Sequence, residues 1–211
     1  MTKLPDLNDI AAKVTHCHNC NLYKTATNPV PGEGNPEAEV MFIGEAPGYF
    51  EDLQGRPFVG QAGKLLDKLL QSIKLSREEV FICNMLRHRP PENRDPLPEE
   101  IKACEVFLDD QIKIINPKVI VTLGRFSMNK FLPGEYISNV HGQARYVDFA
   151  GQRYIIIPMY HPAAALRNGA VMDKLVADFK KITTFLKEPE VETEAPKQEE
   201  VKKHIQLSLI N

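Results

Sequence analysis

Four short runs of apolar and β-branched residues constrain this chain more than any other feature: "AEVMFIG" (38–44), "EVFICNML" (79–86), "KVIVTLG" (118–124) and "RYIIIPMYH" (153–161). Each has strand length and is too continuously apolar to leave one face in water, so each is predicted as a strand buried on both sides. The intervals are helical in pattern, notably "GQAGKLLDKLLQSIK" (60–74) and "PLPEEIKACEVFLDDQIKII" (96–115). Strand and helix alternating at this spacing predict three layers, α/β/α, around a central, mostly parallel four-stranded sheet. The 211 residues suffice for one such core.

In open sheets of this kind, ligands bind beyond the carboxyl ends of the strands. The first run leads into "GEAPGYFEDLQGRPFVG" (44–60), a Gly/Pro loop that sets Glu45, Glu51 and Asp52 beside the aromatic Phe58. Its free N–H groups suit a ligand, although acids on such a loop equally suit a solvated turn. The second run ends near Asn84, whose amide can both donate to and accept from a base edge, or cap a turn. The fourth runs into "HPAAAL" (161–166), where His161 can donate to a developing anion. These residues become one candidate site because their strands are predicted to lie side by side.

No run of about 18 apolar residues occurs, and "MTKLPDLNDI" is not a basic-then-apolar leader, so the expectation is a cytoplasmic protein without a membrane span. The net charge of −2 hides an uneven distribution. Residues 188–200 carry six Glu against one Lys, and 201–211 add Lys202 and Lys203, leaving a near-neutral body in which Arg87, Arg89 and Arg94 cluster. A local basic face of that kind can still meet a polyanion. The division expected is a domain over 1–187, an acidic linker over 188–204 and a terminal peptide over 205–211, with a monomer as the working unit. Four cysteines, Cys17, Cys20, Cys83 and Cys104, in a cytosolic protein read as reduced, metal-binding or catalytic rather than disulfide-bonded.

The strings "CHNC", "VPGEG", "GEAPGYFED", "GRPFVG", "NMLRHRPPENRDP", "TLGR" and "HPAAAL" occur in the order found in the uracil-DNA glycosylase superfamily. Over residues 10–185 the chain most closely resembles family 4, the iron-sulfur-containing branch. The resemblance implies a DNA-repair hydrolase that takes a flipped uracil into a pocket and cleaves its N-glycosidic bond. It also implies roles: Gly44 and Ala46 line the pocket with Glu45, Phe58 stacks on the uracil, and Asn84 pairs with its edge. Glu51 faces the cationic sugar or orients water, His161 holds the uracil anion, and Leu166 wedges into the vacated stack.

Family 4 ligates a 4Fe-4S cluster with four cysteines. Cys17, Cys20 and Cys104 fill three of those places and His88 stands at the fourth, while Cys83 is read as core. Imidazole ligates iron-sulfur clusters elsewhere, and a Cys3His set also suits zinc. A degenerate or metal-free site would leave these donors empty, and His16 and His18 stand close by as further donors. The loop carrying Arg87, Arg89 and Arg94 is expected to face the DNA backbone. A related branch traps uracil-DNA covalently, but Ala46 and the absence of an inserted basic loop favour turnover. A non-catalytic uracil-DNA-binding protein and a metal-dependent redox sensor are compatible with the same fold. The tail "QLSLI", with Gln206, Leu207, Leu209 and Ile210, resembles the peptide by which bacterial repair proteins dock on the β sliding clamp; the expected place is the bacterial cytoplasm, at the nucleoid through DNA.

Overall fold

The computed structural model describes residues 3–187. The predicted linker and the Gln206–Ile210 peptide lie outside the described residues. Six strands form one sheet: β1 (Glu33–Gly34), β2 (Val40–Gly44), β3 (Phe81–Asn84), β4 (Val119–Leu123), β5 (Arg145–Phe149) and β6 (Gln152–Met159), in the order β1-β3-β2-β4-β6-β5. The four apolar runs are the parallel centre, β3-β2-β4-β6. They are buried on both faces, as their composition demands, and β2 and β4 are buried at every position.

The expectation of four strands is corrected to six. Both additional strands are antiparallel edges, and edges carry weaker sequence signals. β1 is a two-residue pairing around Gly34. β5, "RYVDF", alternates half-buried and exposed residues because it covers only one side of β6.

Among the described residues eight α-helices complete the layers: α1 (Leu4–Thr15), α2 (Tyr49–Gln54), α3 (Gln61–Ser72), α4 (Pro98–Ile115), α5 (Arg125–Phe131), α6 (Ile137–Val140), α7 (Pro162–Ala165) and α8 (Gly169–Lys187). The two-residue period of the strands sorts their side chains into two cores. Val40, Phe42, Val119, Val121, Ile155 and Ile157 face Leu66 and Leu70 of α3 and Leu175 and Phe179 of α8. Met41, Ile43, Ile120 and Ile156 face Leu108, Ile112 and Ile115 of α4. This is the predicted α/β/α sandwich. Among the described residues no helix is long and apolar enough to cross a membrane.

α4 starts where Pro98 supplies the fixed φ of a first turn, and the Glu100 carboxylate accepts from the Leu97 N–H at 2.9 Å. It ends at Asn116 in the left-handed conformation. These two stops fix where Cys104 falls on the helix. All four parallel strands point their carboxyl ends the same way, so Gly44, Asn84, Gly124 and the residues after Met159 share one edge.

Candidate active-site cleft and thiol corner

Gly44 and Asn84 are register partners at the ends of β2 and β3. The ladder continues one step past the strands, with Met85 N donating to Gly44 O at 3.0 Å and Leu86 N to Glu45 O at 3.1 Å. A Cβ on Gly44 would collide with Asn84 Oδ1 and the Phe58 ring. The missing side chain therefore lets an amide and an aromatic face converge on one space. That space is a cleft of about 400 Å³, lined also by Glu45, Ala46, Glu51 and His161.

Asn84 is 2% exposed, and its Oδ1 meets no hydrogen-bond donor of the protein. A buried acceptor left without a donor costs about 1–3 kcal/mol, so the group is kept for something that enters the cleft. It accepts one N–H from a planar ligand, while its amide nitrogen offers two donors.

Phe58 has a positive φ of 51°, a conformation that costs a non-glycine residue about 1–3 kcal/mol. Two groups hold it there. Arg77 donates to Pro57 O at 2.6 Å and to Phe58 O at 3.0 Å, and Gly63 of α3 passes so close that any Cβ would strike the Phe58 carbonyl. Asp67 and Glu33 in turn fix the guanidinium at 2.9 Å each. Sequence reasoning missed Arg77 and Gly63, since Arg77 acts on carbonyls 19 and 20 positions away and Gly63 works through an absent side chain within α3.

Glu51 of α2 is 9% exposed. Its Oε1 accepts from Val59 N at 2.9 Å and Gly60 N at 2.8 Å, the turn that opens α3. Two backbone donors on one oxygen lock the carboxylate, leaving Oε2 beside Gly48 at the cleft. Asp52, one residue on, turns away and holds the Thr27 and Asn28 N–H groups at 2.8 and 3.3 Å. The three acids grouped in the sequence are thus separated: Glu45 and Glu51 line the cleft, and Asp52 braces a loop.

Glu45 Oε1 accepts from Phe126 N at 3.2 Å, at the start of α5. Burial raises its carboxyl above the ordinary glutamate value, with that N–H and the Arg125 charge pulling the other way. His161 caps α7, its Nδ1 accepting from Ala163 N at 3.1 Å. With Nδ1 occupied as an acceptor, a neutral ring carries its proton on Nε2 and donates from there. Burial lowers the imidazole to about 4, Glu51 raising it and Arg167 lowering it further. The ring stacks on Phe58 at 5.6 Å between centroids. Leu166, just past α7, is 48% exposed and does not itself line the cleft, which its neighbours Ala164 and Arg167 do.

On the α4 side, Leu22, Leu86 and Cys104 form a small buried cluster with Cys20 packed against it. Cys20 and Cys104 lie close enough to act on each other electrostatically, and both also feel Cys17. Burial pushes Cys104 up to about 11 and raises Cys20 as well. Three sulfurs gathered here, with the Arg87 charge and N–H acting on Cys104, match in kind the thiolate donors of an iron-sulfur cluster. His88 is buried, and burial lowers its pKa, which favours the neutral ring a metal ligand needs. Its electrostatic neighbours are Asp52 and His18 rather than any of the three cysteines. Among the described residues no three His, Cys, Asp or Glu side chains are placed to hold a single metal ion. Cys83 lies fully buried in β3, a core thiol raised to about 11 by burial.

Arg87 requires a correction: it is fully buried and does not face a polyanion. Its guanidinium donates to Pro31 O at 3.0 Å and to Gln111 Oε1 at 2.8 Å, tying the corner to α4. Arg94 is exposed but paired in two bonds with Glu100.

The sequence pattern of the Uracil DNA glycosylase superfamily matches residues 31–187. The chain is 48% identical over 184 residues to a type-4 uracil-DNA glycosylase of Archaeoglobus fulgidus, covering 85% of this chain and 92% of that protein. It is 49% identical over 185 residues to one from Sulfurisphaera tokodaii, covering 85% and 84%. To one from Thermotoga maritima it is 42% identical over 180 residues, covering 84% and 93%.

Proposed function

This chain belongs to the uracil-DNA glycosylase superfamily, in its type-4 branch, and we propose that it hydrolyses the N-glycosidic bond of uracil in DNA. It is a DNA-repair enzyme that releases uracil and leaves an abasic site. The observation that carries the reading is the orphaned Asn84 Oδ1 facing a cleft between Phe58 and Glu51. Uracil presents an N3–H donor next to the O4 acceptor, the pair that Oδ1 and the amide nitrogen of Asn84 complement.

A base stacked in a duplex cannot reach this cleft, so the nucleotide is flipped. Phe58 stacks on the ring and Leu166 enters the gap left behind. As the bond lengthens, positive charge grows on the sugar and negative charge on the uracil. Glu51, fixed toward the cleft by two N–H groups on its other oxygen, faces the sugar and orients the water. His161 donates its Nε2 proton as a hydrogen bond to the departing uracil; a neutral donor is available because the ring ionises only near pH 4. Glu45 acts one layer back, fixing the loop against α5, with Gly44 and Ala46 as its smooth wall.

Cys17, Cys20 and Cys104, with His88 as the fourth donor, would hold a 4Fe-4S cluster, which when bound supplies a structural tie between the N-terminal segment and α4. Docking of the 205–211 peptide on a sliding clamp, in a bacterial cytoplasm and from a monomer, is the corresponding proposal for the tail, tested by loss of clamp capture on deleting residues 205–211.

The decisive assay for the main reading is multiple turnover on an oligonucleotide with one uracil, followed by alkaline cleavage. Product well above the enzyme concentration is expected. An adduct stopping at one equivalent, or binding without release, overturns turnover.

A further inference from the structure

Tyr49 and Phe50 of α2 are each 52% exposed, and among the described residues neither ring joins the apolar clusters of the core. They stand between Gly48 and Glu51, both of which line the cleft, so the two rings continue its wall outward. The rings meet edge to face, 5.4 Å apart at 78°. Phe50 rests against Gly60, the residue whose N–H holds Glu51.

A cation completes the patch. The Arg89 guanidinium lies 5.2 Å over the Tyr49 ring, and its Nε donates to Asn93 Oδ1 at 2.8 Å. Asn93 itself lines the cleft, so the patch is fastened to the pocket on both sides. Aromatic faces beside a guanidinium plane are what unpaired bases stack on, with the positive charge left for the phosphate between them.

Resting on the glycosylase reading, we propose that Tyr49 and Phe50 form a stacking platform for the base adjacent to the flipped uracil on the same strand, with Arg89 taking the connecting phosphate. A neighbouring base reaches the platform only when it is free of its own partner. The enzyme therefore favours uracil in single-stranded or frayed DNA.

The test compares wild type with a Tyr49→Ala/Phe50→Ala double variant in single-turnover release from single-stranded oligonucleotides. In one substrate the uracil has normal neighbours; in others the base on the 5′ side, the 3′ side or both is replaced by an abasic tetrahydrofuran. Wild type is expected to lose about tenfold in kcat/KM when one of the two neighbours is removed, in line with one stacked base. The double variant shows that loss already on the intact strand and no further loss on the abasic-flanked one, while Tyr49→Trp retains wild-type behaviour. Both rings are exposed, so thermal unfolding of the variant should match wild type. Equal rates for wild type and variant on the intact strand, or equal losses on removing neighbours, overturn the platform and leave the patch to a different occupant such as an apolar segment of a partner protein. Absence of uracil release by wild type from every substrate is a different result, which overturns the glycosylase reading and this inference with it.

Discussion

The cleft and the thiol corner flank the same segment, residues 84–104, yet they are built by opposite means. In the cleft, main-chain bonds position nearly every group: Glu51 by two N–H groups, His161 by the Ala163 N–H, and Phe58 through its own carbonyl. In the corner, Cys17 and Cys20 come from the loop after α1, Cys104 from α4, and His88 from the segment between, with only single main-chain N–H groups of Leu22 and Arg87 reaching Cys20 and Cys104. The first region is organised before any ligand arrives. The second is a set of donors from separate elements that a bound group would join.

That contrast makes different demands on substitution. The largest expected effect is at Glu51: Glu51→Ala lowers kcat about 10²–10³-fold, as removal of a preorganised electrostatic group does, and also lowers Tm, because the Val59 and Gly60 N–H groups lose their acceptor. Single-turnover uracil release measures it, and a near-wild-type rate would remove Glu51 from the chemistry. Next is Gly63→Ala, which drives a methyl group into the Phe58 carbonyl and is expected to cost about 3 kcal/mol in denaturant unfolding. An unchanged midpoint would mean that the brace under Phe58 is not rigid.

The third prediction follows from His161. A free histidine binds its proton near pH 6.5 and the folded one near 4, so between these values the unfolded chain holds more protons and stability falls as pH is lowered. From pH 6.5 to 5 the loss is roughly 1.5 kcal/mol, and His161→Asn should abolish that component. An imidazole resonance titrating near 6.5 in the native protein would contradict it. The smallest effect sharpens the comparison most. If the two regions are energetically separate, Cys104→Ser lowers Tm but changes the kcat of the protein that remains folded by about twofold at most, since independent sites couple by less than about 0.5 kcal/mol. A larger drop in kcat at unchanged Tm would join the corner to the chemistry.

The central strands are legible in the sequence because burial on both faces leaves a composition that little else produces. β5 is not, since half its residues face water and its partner is chosen by β6 rather than by its own sequence. Glu51, Asn84, Phe58 and His161 are legible as residues following strand ends and matching motifs. Arg87 misleads because an arginine between His88 and Leu86, two positions from Arg89, looks like surface, and its acceptors, Pro31 O and Gln111, lie 56 and 24 positions away. Arg77 leaves no local trace for the same reason.

Arg77 sets how still the pocket is. Its planar fork meets four acceptors at once: the Pro57 and Phe58 carbonyls, Asp67 and Glu33. A lysine at 77 brings the same charge to a single point and leaves two carbonyls unmet. The strained turn at Phe58 would then have cheaper places to go, and its ring would become a population of orientations, seen as exchange-broadened aromatic resonances. The fidelity with which one base is told from another would blur at a position that touches neither DNA nor the reacting atoms.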